Sequence, residues 1–264
     1  RDILGPRRNV AYPLPVGAHS VTVSKTWKPR PTDVIILTFH KTGTTWCQQI
    51  CHQLRTNGHV EFSEITEVMP WIDFGWEVNQ DLNNEQMAEP RLFKSHARLS
   101  AIHEGCKYLC TIRDPIRTLV SLFNFFCGKV TSKHPEVLSF SHTCTCCRLV
   151  QFLPKPPFPA SWLANVDNFA KCPLWAVDSI WGGNYWEYMV EFFLARKVGS
   201  VKVLCFEEML KDTKGYAIPQ IAQFMGLSDV TPEVVETVAR LSSKEWMAEH
   251  DDKFSEGWFY EEQL

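Results

Sequence analysis

Residues 33–54 read DVIILTFHKTGTTWCQQICHQL, an apolar run that passes through a short polar loop into an amphipathic stretch. The run at 33–39 is apolar and rich in β-branched residues, which is typical of a strand covered on both faces. Beyond the threonines, apolar residues recur at helical spacing, and Asn57-Gly58 is a typical helix stop. The stretch therefore predicts a strand, a loop and a helix in direct succession.

The polar loop carries a lysine, a glycine and three threonines. A short loop that opens directly into a helix presents backbone N–H groups at the positive end of the helix dipole. Lys41 adds a mobile positive charge, and Thr42, Thr44 and Thr45 supply hydroxyl groups. The Walker pattern is absent, because the lysine precedes Gly43 and no second glycine lies upstream. Spacing alone leaves two interpretations open, a phosphate cradle or a hydroxyl-capped helix start with an exposed lysine.

Three further strands are predicted along the chain, each short and apolar. They are RLFKSH at 91–96, KYLCTI at 107–112 and VKVLCF at 201–206, and the last two lead into helical patterns. A later helix is predicted from Thr231 as N-cap and Pro232 at its first position. Strands alternating with helices indicate an α/β fold, a three-layer sandwich with a central, mainly parallel sheet flanked by helices and a P-loop-like phosphate cradle.

The length of 264 residues is compatible with one large domain, so we expect a single domain over residues 1–264. Residues 1–32 contain five prolines and little periodicity, which predicts an extended N-terminal arm. Residues 128–162 are rich in proline and cysteine and are predicted to form an irregular loop or cap. No internal repeat is visible.

Charge and hydropathy narrow the expected partners and location. The net charge is −3, which gives no electrostatic reason to expect nucleic acid or an anionic membrane as a partner. No run approaches the roughly 18 apolar residues that span a bilayer. Most of the ten cysteines lie in apolar segments, where a free thiol acts as a small hydrophobe. We therefore expect a cytoplasmic protein with reduced thiols.

A zinc cluster is the alternative interpretation of the cysteines. CTCC at 144–147 lies near His134 and His142. Its spacing is not C-x-x-C, and no second pair lies at a suitable distance, so thiols in a loop are the better interpretation and no metal is expected.

A second polar constellation follows the strand at 107–112. Arg113 lies at the strand end, where a guanidinium can contact a phosphate through two nitrogens. Ser121 lies about two helical turns beyond Pro115, and its hydroxyl would reach the same anion if the helix packs beside it. The alternative interpretation is a solvated arginine and a buried serine.

These motifs together resemble the cytosolic sulfotransferase family. HKTGTTW resembles the family's 5′-phosphosulfate loop, usually Pro-Lys-Ser-Gly-Thr-Thr-Trp, and RDPIRTLVS resembles its 3′-phosphate segment. FKSH matches the Lys-x-His strand that carries the family's catalytic base. EVMPWIDF, WGGNYWEYMVEFF, VKVLCFEEM and SSKEWMAEH follow in the family's order, so the resemblance extends from about residue 27 to the end.

The resemblance implies a donor, 3′-phosphoadenosine 5′-phosphosulfate (PAPS), whose product is the 3′,5′-bisphosphate PAP, and a small-molecule acceptor. It places the 5′ phosphosulfate on six consecutive residues, Lys41, Thr42, Gly43, Thr44, Thr45 and Trp46. It places the 3′ phosphate on Arg113 and Ser121, and the adenosine beside Trp46, Trp181 and Ser242. No metal is implied, since cationic side chains and dipoles take its place.

The resemblance also implies the catalytic residues. His96 is the expected general base, because an imidazole with a pKa near 6.5 accepts a proton at neutral pH. Lys94 would stand beside it, and Lys41 would stabilise the leaving group. The expected acceptor pocket is lined by aromatic residues and the base, namely Phe39, Trp71, Trp76 and His96, although aromatics at this density are as often plain core.

Several departures from the family pattern leave alternatives open. His40 replaces the usual proline, Thr42 the usual serine and Trp181 the usual tyrosine. The family's C-terminal Arg-Lys-Gly segment is not found. We expect that this sequence stops short of it, and the alternative is weakened donor binding. The family's usual dimerisation motif lies near the same end, so the oligomeric state is left open, with a homodimer as one alternative. The alternatives are a catalytically silent nucleotide-binding relative and a nucleotide-dependent kinase, which would need a Mg²⁺ ligand set.

Overall fold

The computed structural model describes residues 27–74, 80–133, 167, 170 and 183–255. Its strands are β1 (Val34–Leu37), β2 (Leu92–Ser95), β3 (Lys107–Ile112) and β4 (Val201–Cys205). The α-helices are α1 (Thr44–Thr56), α2 (Ile65–Val68), α3 (Pro115–Lys133), α4 (Tyr185–Ala195), α5 (Phe206–Lys211), α6 (Ile218–Met225), α7 (Pro232–Leu241) and α8 (Lys244–Glu249). Short 3₁₀ turns lie at Ile72–Phe74 and Asp251–Phe254, and a π-turn at Thr213–Ala217.

The four described strands form one sheet in the order β2-β1-β3-β4. All three pairings are parallel, and Val34 of β1 aligns with Leu92 on one side and Lys107 on the other. The predicted α/β class with a parallel sheet is confirmed. Each strand was also found within a residue or two of its predicted position.

The central strand β1 shows why the fold has three layers. Its four residues are fully buried, as the continuous apolar run predicted. Ile35 and Leu37 join one apolar core with residues of α4, while Val34 and Ile36 join a second core with residues of α1, α6 and α7. Since successive strand residues point to opposite faces, β1 contributes to both cores.

The helix ends follow local sequence signals. Helix α1 ends at Asn57, which adopts φ 54° and donates its N–H to the carbonyl of Gln53. The Thr231 hydroxyl accepts from the N–H of Val234 at the start of α7, so the predicted N-cap is confirmed. Ser243 caps α8 in the same way, through the N–H of Trp246.

One predicted boundary is wrong. Helix α3 continues to Lys133, so residues 128–133 are helical and not part of an irregular loop. A single glycine at 128 costs a helix only about 1 kcal/mol. The first proline after Pro115 is Pro135, and a proline disfavours helical backbone in the residue before it. The rest of the predicted loop, 134–162, lies outside the described residues.

The ends of the chain are described only in part. Of the predicted N-terminal arm, residues 27–32 are described and form neither helix nor strand. Trp27 is 1% exposed and packs 4.6 Å from the ring of Phe93, which anchors the arm in the core. Residues 256–264 lie outside the described part. None of the described helices is both long and apolar enough to span a membrane.

Candidate active site

The parallel sheet brings the predicted site residues to one edge. Strand β1 leads into the glycine loop (residues 38–43), β2 into His96, β3 into Arg113 and β4 into Phe206. Because β1 lies between β2 and β3, the glycine loop has neighbours on both sides. In parallel α/β sheets, ligands bind beyond the carboxyl ends of the strands at such a point.

The glycine loop owes its shape to the backbone. Lys41 has φ 62° and Gly43 has φ 110°, both in the left-handed region. A Cβ on Gly43 would lie 2.8 Å from Cδ2 of Phe206, so no side chain fits there without movement. Gly43 is also the N-cap of α1, which begins without a side-chain cap and has no acidic residue in its first turn. This helix end therefore suits an anion.

The threonine hydroxyls brace the loop from within. Thr42 is fully buried, and its hydroxyl donates to the Phe39 carbonyl at 2.7 Å and contacts the Thr111 hydroxyl at 3.0 Å. The Thr44 hydroxyl pairs with that of Thr38 at 2.6 Å. Since the N-cap is a glycine, the alternative of a hydroxyl-capped helix start is wrong. Anion contacts by Thr42, Thr44 and the half-buried Thr45 stay predictions.

Arg113 closes the loop from the side of β3. Its Nη1 donates to the Lys41 carbonyl at 2.6 Å, and its Cζ lies 4.4 Å from the ring centroid of Phe206. Its Nε is buried and has no hydrogen-bond partner within the described part of the chain. Burial lowers the pKa of Arg113. Ser121 lies half-buried on α3, six residues after Pro115, as the sequence predicted.

An aromatic pair borders the start of α1. Trp46 donates from Nε1 to the Ser242 carbonyl at 2.9 Å, and its ring lies 5.5 Å from that of Phe206, nearly perpendicular. The structure thus brings Trp46 and Ser242 together, although the Ser242 hydroxyl is buried and donates to the Val238 carbonyl. Trp181, predicted beside this site, lies outside the described residues.

Phe206 is a site residue that the sequence analysis missed. It appeared as the last apolar residue of a strand, whereas the structure places it at the first position of α5, in contact with Gly43, Trp46 and Arg113. An aromatic residue at the carboxyl end of a predicted parallel strand was the available signal.

His96 lies at the end of β2 with its ring in a fixed setting. Its Nδ1 lies 2.9 Å from the Thr38 carbonyl oxygen, and its own carbonyl accepts from the Tyr188 hydroxyl at 2.7 Å. A carbonyl only accepts, so Nδ1 carries the hydrogen and Nε2 of the neutral ring carries the lone pair. Burial, and then the neighbouring His40 and Lys94, lower the pKa of His96 well below 6.5. The ring is therefore neutral at pH 7.

Asp73 is a second residue that the sequence analysis missed. Its carboxylate accepts three hydrogen bonds, from Nε1 of Trp71 at 2.9 Å, the Ser95 hydroxyl at 2.8 Å and the His96 N–H at 2.7 Å. Burial raises its pKa, and the three hydrogen bonds oppose that rise. A carboxylate inside the apolar run MPWIDF was the available signal, since a buried charge needs partners.

Lys94 completes the group of side chains around His96. It is 2% exposed, and its Nζ lies 3.6 Å from the ring centroid of Trp71. Such a cation–π contact replaces part of the lost hydration. The ring of Trp71 meets that of His96 at 5.6 Å and 82°. We call Trp71, Asp73, Lys94, Ser95 and His96 the His96 cluster.

The two remaining pocket predictions have different outcomes. Phe39 is 1% exposed and packs against Tyr185 and Tyr188 in the core, at ring distances of 5.4 and 5.2 Å. Its role in lining an acceptor pocket stays a prediction. Trp76 lies outside the described residues.

Thr38 joins the glycine loop to the His96 cluster. Its hydroxyl contacts Thr44 at the start of α1, and its carbonyl holds Nδ1 of His96. The positive charges of Lys41 and Lys94 both lower the pKa of His96, so the two regions share one electrostatic environment. The arrangement places the glycine loop at the start of α1 and the neutral imidazole of His96 side by side.

Across the described ranges, no group of three or more His, Cys, Asp or Glu side chains is placed to hold a metal ion. CTCC at 144–147, His134 and His142 lie outside those ranges.

A parallel sheet with a glycine loop that opens into a helix is typical of α/β proteins that bind anions. The family model described as "Sulfotransferase domain" matches residues 31–256. The chain therefore belongs to the sulfotransferase domain family, and it is a sulfotransferase enzyme.

Curated relatives and solved structures agree with this family. The chain is 25% identical over 237 residues to sulfotransferase 1C2 of Rattus norvegicus, covering 86% of this chain and 69% of the relative. It is 25% identical over 252 residues to human sulfotransferase 2A1, covering 91% and 76%. Retinol dehydratase in complex with retinol and PAP superposes with a TM-score of 0.62 at 17% identity, covering 92% of this chain and 74% of that chain. The mouse sulfotransferase SULT7A1 complexed with PAP gives a TM-score of 0.58 at 17% identity, covering 88% and 71%.

Proposed function

We propose that this sulfotransferase transfers a sulfuryl group from PAPS to a hydroxyl or amine of a small-molecule acceptor, with His96 as general base. The observation that carries the proposal is the double contact of Thr38, which sets the anion cradle beside the neutral ring of His96. The relatives support a small acceptor, since one of them is the 3-alpha-hydroxysteroid sulfotransferase of Cavia porcellus.

The residues at the sheet edge fit such a donor. The glycine loop leaves space only for backbone at Gly43, and the uncapped start of α1 suits a phosphate group. The 5′ phosphosulfate of the donor would lie on residues 41–46. Arg113, with a buried Nε that lacks a partner in the described part, would meet the 3′ phosphate together with Ser121. The adenine would lie beside Trp46, near Ser242, with Trp181 as a further predicted contact.

When bound, the donor supplies the sulfuryl group, and its bisphosphate departs with the electron pair of the broken S–O bond. His96 accepts at Nε2 the proton that the acceptor gives up. Its lowered pKa keeps the ring neutral and ready for that proton at pH 7. The Thr38 carbonyl holds Nδ1–H in place, which fixes the nitrogen that acts.

The two lysines supply positive charge where negative charge develops. Lys41 lies in the glycine loop, and Lys94 lies in the His96 cluster with its Nζ held over the ring of Trp71. Preorganised charge in a site that excludes water stabilises a leaving oxygen far more than charge in water does. We assign Lys41 to the leaving group and Lys94 to the transferring group.

The test is transfer of radiolabelled sulfate from PAPS to a panel of phenols, alcohols and amines, with PAP binding measured by calorimetry on the same protein. We expect transfer to at least one acceptor class and saturable PAP binding. The absence of both would overturn the proposal. PAP binding without transfer to any acceptor would favour a catalytically silent relative. Transfer of phosphate from ATP instead would favour a kinase.

Cytoplasmic location and a possible homodimer stay predictions.

A further inference from the structure

A second histidine lies against the proposed base. The rings of His40 and His96 are 4.1 Å apart between centroids, with an interplanar angle of 36°. His40 opens the motif HKTGTTW, at the position where the resembled family usually has proline. Proline has no aromatic ring, so this pair of rings is a feature of the present chain.

We propose that His40 is a positioning residue for His96: the tilted His40 ring packs against the His96 ring and holds it with Nδ1 toward the Thr38 carbonyl. The inference deepens the proposed function and rests on the proposed role of His96 as the base. It assigns no contact between His40 and the donor or the acceptor.

The other neighbours of His96 constrain different parts of the residue. Asp73 accepts from its backbone N–H, and Tyr188 donates to its carbonyl. Thr38 holds one ring nitrogen, and Trp71 meets the ring nearly perpendicular, at 82°. The His40 ring, at 36°, is more nearly parallel to the His96 ring than the Trp71 ring is. It therefore opposes rotation of the imidazole about its side-chain bond. A histidine ring has a broad, roughly two-fold preference for that torsion, so packing must select one orientation.

The charged groups around His40 and His96 favour the neutral form of both rings. Lys94 and Lys41 act on both rings, and Asp73 faces the backbone of His96. Burial, and then the charges of the two lysines, lower the pKa of His40 to about 3. His40 and His96 are therefore both uncharged at neutral pH and pack without charge repulsion before His96 takes up a proton.

Orientation matters because only one ring nitrogen is placed to accept the proton. A rotated ring would lose the Thr38 hydrogen bond and present a different edge to the acceptor. Small misplacements of a reacting group cost up to about a hundredfold in rate. We expect His40→Ala to lower kcat by about tenfold or more by this mechanism, whereas His40→Phe, which keeps a flat ring, should recover most of that loss.

The test reads the His96 ring directly and without any sulfate acceptor. Long-range ¹H–¹⁵N spectra of ¹⁵N-histidine-labelled protein at pH 7.5 report which ring nitrogen carries the hydrogen, and the His96 signals are assigned by their loss in His96→Gln. We expect a single Nδ1–H form in the unchanged protein and in His40→Phe, and a mixture of tautomers in His40→Ala. His250→Ala is the matched control, because His250 also stacks on an aromatic ring, 4.1 Å from Trp246, away from the site.

Two outcomes are decisive. The proposal is supported if His40→Ala shows mixed His96 tautomers while His40→Phe and His250→Ala both keep the single Nδ1–H form. An unchanged single Nδ1–H form in folded His40→Ala overturns it. Because the spectra need no sulfate transfer, a protein that shows the tautomer change but transfers no sulfate would contradict the proposed function and leave the positioning role intact.

Discussion

The glycine loop and the His96 cluster lie side by side at one sheet edge but are built differently. The loop takes its shape from two left-handed backbone positions, with φ 62° at Lys41 and 110° at Gly43, and from one close approach of Phe206. The His96 cluster is instead assembled by side-chain hydrogen bonds through Asp73, and Thr38 and Tyr188 hold His96 from other elements. Substitutions that distort the loop should therefore weaken donor binding, and substitutions in the His96 cluster should slow the chemical step.

Lys41 lies in the glycine loop and its charge also acts on His96, so its replacement should have a large effect on the chemical step. Lys41→Asn removes the charge, while asparagine tolerates the left-handed backbone at this position. We expect kcat to fall by about 10²–10³-fold, the usual loss when one group that stabilises developing charge is removed. Steady-state kinetics at saturating donor measure it. Lys28→Asn, at an exposed position, controls for net charge, and an equal loss in that variant would contradict the assignment.

Gly43→Ala should separate donor binding from chemistry. The left-handed backbone costs a non-glycine residue about 1–2 kcal/mol, and the new Cβ would lie 2.8 Å from Phe206. We expect PAP affinity in calorimetry to weaken by about tenfold or more, since 1.4 kcal/mol corresponds to a factor of ten.

Gly105→Ala is the matched control for that variant. Gly105 has φ 94°, and a Cβ there meets nothing within 4 Å. The control therefore carries the backbone cost without the collision, and it should lower thermal stability while leaving PAP affinity unchanged. Equal weakening of PAP binding in both variants would show that the close approach of Phe206 is unimportant.

Asp73→Asn should give the smallest of these effects. In contrast to Gly43→Ala, it should lower turnover and leave PAP affinity unchanged. The substitution replaces one carboxylate oxygen by an NH₂ group, which cannot accept from Trp71, Ser95 or His96. We expect a loss of about 1–3 kcal/mol in unfolding free energy from an unsatisfied buried donor. We also expect kcat to fall by about tenfold through a displaced His96.

Denaturant unfolding and kcat measure these two effects, with PAP calorimetry as the reference. PAP affinity should be retained, because Asp73 belongs to the His96 cluster and accepts its hydrogen bonds from Trp71, Ser95 and His96. A tenfold loss of PAP affinity in folded Asp73→Asn would mean that the two regions are not separable.

The same contrast explains what could be predicted from the sequence. The glycine loop, its strand and its helix follow from local patterns within 33–58, and the four strands follow from short apolar runs. His96 was found through its motif, but the residues that orient it were not. Asp73, Thr38 and Tyr188 lie 23, 58 and 92 positions away from it, and no local pattern links such residues.

Phe206 and the end of α3 show two other causes of failure. Phe206 has the composition of a strand residue, and only tertiary packing against Gly43 places it in the site. Helix α3 ran past its predicted end because a single glycine is a weak helix stop. Both errors arise where a local preference is small and long-range packing decides.

The role of His96 as the base is tested by His96→Ala, with sulfate transfer and PAP calorimetry measured on the same preparation. General-base catalysis contributes about 10²–10⁴-fold, so transfer should fall by that factor while PAP affinity stays within about threefold. In the unchanged protein, kcat/KM should not fall as the pH drops from 8 to 6.5, because the pKa of His96 is lowered well below 6.5 and the base form persists there. Full turnover in His96→Ala, or parallel loss of turnover and PAP binding, would contradict the account.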